Sequence, residues 1–131
     1  MNPNGVIIRT CKYAVKEVID RLQAFLQQHG ATIYAIIDQQ AEVQKAGQNL
    51  LPLQFILFGN PKAGGAIMAQ NPLAALDLPL KIIAWEDAQQ KVWVAYNDAL
   101  FIEERYSLQH TENSPLNLDH LISMALEQQT I

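Results

Sequence analysis

Phe55–Gly65, FILFGNPKAGG, is the stretch whose reading decides the fold. Four apolar residues run without alternation, then glycine, then Asn60-Pro61, then Lys62 and the pair Gly64-Gly65. A continuous apolar run fits a strand covered on both faces. Asn60-Pro61 is a helix start: asparagine accepts from the free amides of a first turn, and proline at the first helical position loses no bond it could have made. The junction therefore reads as a buried strand handing over to a helix over 61–69. Exposed first-turn amides favour anions, and Lys62 adds a full charge there, so the functional reading is an anion-accepting helix start. The structural reading of the same residues is an ordinary N-cap. Neither a phosphate-binding P-loop nor the Gly-x-Gly-x-x-Gly dinucleotide fingerprint is matched. Gly64 and Gly65 fall inside the helix, where each costs about 1 kcal/mol against alanine, which points to close packing or an irregular helix.

Outward from that junction, the pattern predicts strands over 5–10, 31–38, 50–59, 78–85 and 91–96. The clearest helix spans 13–29: Ala14, Val15, Val18, Ile19, Leu22, Phe25, Leu26 and His29 share one face, with Gly30 as its stop. His29 sits where a last-turn positive charge is favoured, and reads as a capping residue before a ligand. A short polar helix over 39–48 separates the second and third strands. Asn71-Pro72 repeats the helix-start signal and opens PLAALD, making a compact helical crossover between the third and fourth strands. The fourth and fifth strands form a hairpin around Glu86-Asp87. Asn97-Asp98 opens a helix over 99–106, a polar linker covers 107–114, and a closing helix is predicted over 115–129. This order predicts a single α+β domain over 1–131: a mainly antiparallel sheet of about five strands with helices packed on it. Cover for both faces of the third strand comes either from helices on both sides or from a second copy of the chain, so a homodimer is expected.

Composition sets the outer bounds. With 131 residues, half of them hydrophobic and 17% charged, the chain can bury a real core and is not a disordered segment. A net charge of −4 without a basic stripe argues against nucleic acid as a partner. No apolar run approaches the roughly 18 residues of a membrane span, and no signal-peptide pattern opens the chain, so no membrane is expected and the simplest location is the cytoplasm. The single Cys11 has no internal disulfide partner, and reads as a buried thiol before a nucleophile.

GNPKAGGAIM, NPLAALDLPLKIIAWED and KVWVAYND together resemble the domain-of-unknown-function family 302 (DUF302), small bacterial and archaeal proteins. The resembling blocks run from the first helix through Ile37-Asp38, Phe58–Lys62, Asn71-Pro72, Leu78–Leu80, Trp85–Asp87 and Tyr96–Asp98 to Arg105, over residues 14–108. The resemblance implies an α+β fold and common dimeric association, and it implies no established activity. Where the family often has histidine after Asp38, this chain has Gln39; where it often has threonine after Gly64, it has Gly65. Chemistry built on an Asp-His pair would lose its histidine here.

The candidate ligand-binding residues are polar groups at strand ends and helix starts: Asp38, Asn60, Lys62, Glu86, Tyr96, Asn97 and Asp98. If the strand ends share one edge of the sheet, these residues line one cleft. Each also has a structural role open to it, as a cap, a turn residue or a bonded core tyrosine. His29, His110 and His120 are scattered, no metal-ligand spacing appears, and the sequence names no cofactor. A dimeric small-molecule or anion-binding module ranks first. An interaction dimer without a ligand ranks second. An enzyme using Glu86 or Asp98 as acid/base ranks third, and no catalytic residue is assigned.

Overall fold

Residues 3–127 are described by a computed structural model. The strands are β1 (Val6–Cys11), β2 (Thr32–Asp38), β3 (Leu53–Gly59), β4 (Leu80–Glu86) and β5 (Val92–Asn97). They form one sheet in the order β1-β5-β4-β3-β2, with every neighbouring pair antiparallel. The helices are α1 (Val15–Gln28), α2 (Gln39–Lys45), α3 (Pro61–Gln70), α4 (Ala99–Arg105) and α5 (Asp119–Ile122). A 3₁₀ turn (Pro72–Leu76) follows α3, and a π-helical turn (Ser123–Glu127) continues α5. The fold is the expected α+β domain.

β1 and β2 are the two edges of the sheet, and α1 carries the chain from one to the other across a single face. Its stripe Val15, Val18, Ile19, Leu22 and Leu26 is buried against Ile56 and Phe58 of β3, Ile82 and Ala84 of β4, and Val92, Val94 and Tyr96 of β5. Leu118, Ile122, Ala125 and Leu126 from the C-terminal segment complete this cluster. Side chains alternate across a strand, so Phe55 and Leu57 point to the opposite face. There the register aligns Ile8, Ala95, Ile83, Phe55 and Ile37 in one row across all five strands. Apart from the small Ala95, which is buried, these residues are half-buried. The unbroken apolar run of β3 is thus explained by one helix-covered face and one face whose side chains shield one another.

A second cluster sits at the sheet edge where β4 begins. Ile67 of α3, Ala74 of the 3₁₀ turn, Ile102 of α4, Tyr106 at the C-cap of α4, and Leu116 are its buried members. The Asn71 amide donates to the Tyr106 carbonyl (2.9 Å), and the Tyr106 hydroxyl donates to Asp77, which also pairs with Arg105. Glu103 is the buried charged residue among the described residues, and its Oε1 lies 2.8 Å from His110 Nδ1.

Several boundaries differ from the sequence pattern for local reasons. β3 starts at Leu53 and β4 at Leu80, because Pro52 and Pro79 have no N–H to donate to a ladder. The closing helix does not begin at Pro115. Ser114 Oγ accepts from Leu116 N and Asn117 Oδ1 accepts from Asp119 N, so 115–118 is a pair of side-chain-closed turns and the helix starts at Asp119. Its predicted end at Gln129 lies outside the described residues. In the β4–β5 hairpin, Asp87 accepts from the amides of Gln89 and Lys91 and from the Trp93 indole, each at 2.9 Å. The indole bond first, then the amides, hold its carboxyl below the usual carboxylate range.

Gly5 precedes β1 with φ +79°, and a Cβ there would stand 2.3 Å from Phe101 Cγ. Gly5→Ala combines left-handed strain with that clash. It is expected to destabilise the fold by at least about 1 kcal/mol. An unchanged thermal midpoint would mean that Phe101 does not pack on this turn.

Candidate functional site

An antiparallel sheet sends successive strands out at alternate edges, and this decides where the candidate residues lie. β3 leaves at the edge holding Gly59, where Thr32 begins β2. β2 ends at Asp38, opposite Gln54, and β4 ends at Glu86 on that same far edge. Seven residues of strand separate the two edges by roughly 20 Å. Asp38 and Glu86 therefore do not share a cleft with Asn60; the expectation that the strand ends line one edge is corrected by the strand directions. Asp38 is the N-cap of α2, its carboxylate accepting from Ala41 N at 3.0 Å. Glu86 is held by its own amide, which donates to the Pro52 carbonyl.

Asn60, Asn97 and Asp98 do lie at one edge. Asn60 Oδ1 accepts from Lys62 N (3.0 Å) and Ala63 N (3.3 Å), and Gly64 N donates to the Asn60 carbonyl (2.8 Å). Pro61 has no N–H. The amides that an anion would take at this helix start are already occupied by Asn60 itself. Lys62 is exposed and forms no part of the cleft described next. Asp98 sits at the N-cap of α4 without a side-chain cap bond, and its amide donates to the Gly5 carbonyl.

Beside Asn60 opens a cleft of about 440 Å3. It is the seam between the two apolar clusters. Leu26, Phe58, Leu118 and Leu121 contribute from the α1 side, and Ile67, Met68, Leu78 and Leu116 from the α3 side, with Leu80 between them. Its polar groups are His29, Tyr34, Asn60 and Asn117, and among the described residues no Asp, Glu, Lys or Arg lines it. His29 Nδ1 lies 2.9 Å from the Phe25 carbonyl, which can only accept. The neutral ring therefore carries its proton on Nδ1 and leaves Nε2 as an acceptor. The ring also stacks on Phe25 at 4.1 Å, which agrees with its reading as a cap of α1. Gly59 and Gly64 leave two positions of the cleft wall without side chains. A Cβ at Gly64 would have only Met68 Cε within 4 Å, at 3.9 Å. The two mid-helix glycines of α3 thus have a steric counterpart: at least Gly64 keeps the cleft open.

A smaller recess of about 120 Å3 adjoins it, sharing Pro79, Leu80, Leu116 and Leu118 and adding Asp77, Lys81 and Asn97. Tyr96 lines neither; it lies on the helix-covered face, in the cluster that holds Leu26, Phe58 and Leu118. Its hydroxyl donates to Asp119 Oδ1 at 2.6 Å, tying β5 to α5. Arg9 joins this tie by donating to Ser123 Oγ (3.1 Å). Burial, then the Asp119 bond, push the Tyr96 hydroxyl up to about 12. Cys11 is half-buried in a separate recess with Arg9 and Lys12. Among the described residues, no three His, Cys, Asp or Glu side chains gather as a metal ion would require.

The sequence reading missed the wall formed by Pro115–Leu118 and the contribution of Leu26. One signal was available for the first: Ser114 and Asn117 stand two residues before the amides they accept from, a turn pattern within an expected helix.

The family model for the domain of unknown function DUF302 matches residues 7–124. The chain belongs to the DUF302 family. The crystal structure of an uncharacterized conserved DUF302 protein from Bacillus stearothermophilus superposes with a TM-score of 0.77, covering 95% of this chain and 98% of that one at 14% identity. That likeness concerns the DUF302 fold alone. Proteins named fluoride-specific ion channel FluC 1, from Brucella suis biovar 1 and Brucella abortus biovar 1, are 34% identical over 105 residues. The match covers 80% of this chain and 41% and 39% of those proteins. This DUF302 chain thus spans about two fifths of the length of the curated relatives it matches. Among its described residues, no helix is long and apolar enough to cross a membrane.

The Tyr96 shift has a testable sign. Its folded pKa lies above the unfolded value near 10, so its contribution is full below pH 10 and is lost as pH rises from 10 towards 12. Stability measured by denaturant unfolding should fall over that window. Tyr96→Phe should flatten the fall while lowering stability at pH 7 by about 1 kcal/mol, through the acceptor left on Asp119. An equally steep fall in the variant would remove Tyr96 as its source.

Proposed function

We propose that this protein is a small-molecule-binding module that works as a homodimer, and that its site is the cleft beside Asn60. One observation carries this reading: a cleft of about 440 Å3, between two apolar clusters, with a few polar groups converging on it. Sites for drug-sized ligands run from roughly 300 to 1,000 Å3 and have this make-up. Neither Glu86 nor Asp98 lines the cleft, so acid/base catalysis by either has no support there. The anion version of the reading is weakened, because Asn60 caps the amides that would bind the anion.

The homodimer is supported by the helix-free row Ile8, Ala95, Ile83, Phe55 and Ile37, flanked by the stacked pair Trp85 and Trp93. The same surface favours the second reading, an interaction dimer in which the cleft stays empty. Two ammonium groups stand over aromatic rings of that face, Lys81 over Phe55 at 4.5 Å and Lys91 over Trp93 at 5.1 Å.

Native mass spectrometry of the purified protein tests both parts. The expected spectrum is a dimer, with a fraction carrying extra mass that is lost on collisional activation. Ile83→Glu, which places a carboxylate in the middle of the apolar row, should give a folded monomer. A wild-type monomer at micromolar concentration would overturn the dimer. A dimer at the bare sequence mass that also binds nothing from a metabolite panel would leave the interaction reading in place of the binding one.

A further inference from the structure

Among the features of the molecule, the cleft is where the chemistry of the wall says most about an occupant. Among the described residues, no Asp, Glu, Lys or Arg lines it, although 17% of the chain is charged. An ion brought into such a site loses water and finds no opposite charge, so its binding is disfavoured against that of a neutral molecule. The adjoining recess holds two charged groups, Asp77, which is engaged by Tyr106 and Arg105, and Lys81, whose ammonium lies over the Phe55 ring. The polar groups of the cleft are also of a particular kind. Asn60 and Asn117 each spend their side-chain oxygen on a backbone amide, leaving an NH2 donor on each. Tyr34, a half-exposed residue of the lining, carries a hydroxyl as a further donor. His29 offers Nε2 as an acceptor.

We propose that the cleft takes a neutral, mainly apolar molecule with an uncharged oxygen at one end, of the alcohol or ketone class. The apolar body lies along Leu26, Phe58, Ile67, Leu116 and Leu118, and the oxygen accepts from the Asn60 and Asn117 amide groups. A hydroxyl can in addition donate to His29 Nε2. Gly64 and Met68 both line the cleft, and a Cβ at Gly64 would meet only Met68 Cε, at 3.9 Å, so a large side chain at this position is the substitution that tests the fit. This inference rests on the cleft being the binding site, and it adds the charge state and polar end of what binds.

The test is an amide-resolved NMR titration of the full chain with 1-octanol and, separately, with octanoate at neutral pH. The two share a chain length and differ in charge. Octanol is expected to shift the amides of Gly59, Gly64, Ile67 and residues 116–118, with octanoate at least tenfold weaker. Gly64→Ala restores helix propensity with an ordinary contact to Met68, so it should melt higher than wild type. Gly64→Leu should keep the dispersed spectrum and lose the octanol shifts. Octanoate binding as tightly as octanol at these residues would overturn the neutral class while leaving the cleft as a site. Shifts by neither molecule would overturn the cleft reading together with it. Octanol shifts that persist in a folded Gly64→Leu would place binding elsewhere.

Discussion

The packing of α1 across the sheet is the interaction on which the remaining structure depends. β1 and β2 are opposite edges, so the connection between them must cross three strands, and α1 makes that crossing with its apolar stripe facing inward. Val18 and Leu22 of α1 meet Ile56 and Ile82 at the centre, and all four are fully buried. Each such side chain contributes on the order of 1.5–3 kcal/mol by leaving water. With one face taken by α1 and the C-terminal segment, the opposite face keeps its apolar row, and α3, the 3₁₀ turn and α4 must collect at the edge where β4 begins.

That division creates the cleft. Two apolar clusters form around different helices, and they do not close on each other completely. α3 enters directly from β3 with its N-terminus capped by Asn60, and the missing side chain at Gly64 leaves the seam open. A helix built for stability alone would carry alanine there, at a gain of about 1 kcal/mol. The stability forgone is local, and it coincides with the wall of the largest cavity described.

Polar groups in this fold serve mostly as ties between elements. Tyr96 and Asp119 join β5 to α5, Tyr106 and Asp77 join α4 to the 3₁₀ turn, and Asp87 closes the hairpin through Trp93. Burial of the two tyrosines is tolerated because each hydroxyl has a carboxylate to donate to. Burial, then the Asp119 bond, raise the pKa of Tyr96, and the Asp77 bond, then burial, raise that of Tyr106. Several residues that stand out in the sequence as chemistry are thus occupied with holding the chain together.

The sequence by itself determined the element order, the α1 stripe, the Asn60 cap, the His29 cap and the α+β class. These follow from periodicity and from hydrogen bonds between residues a few positions apart, which neighbours in the chain dictate. It did not determine which candidate residues meet. Asp38, Asn60, Glu86 and Asn97 look alike as strand ends, and the antiparallel directions alone sort them to two edges. Nor did it reveal the wall at Pro115–Leu118, where side-chain turns displaced an expected helix. Whether a cleft opens, and whether any charge faces it, depends on residues 26, 60, 80 and 116 converging from four segments. Only the tertiary structure decided that, because such contacts join segments far apart in the chain, and no local spacing encodes them.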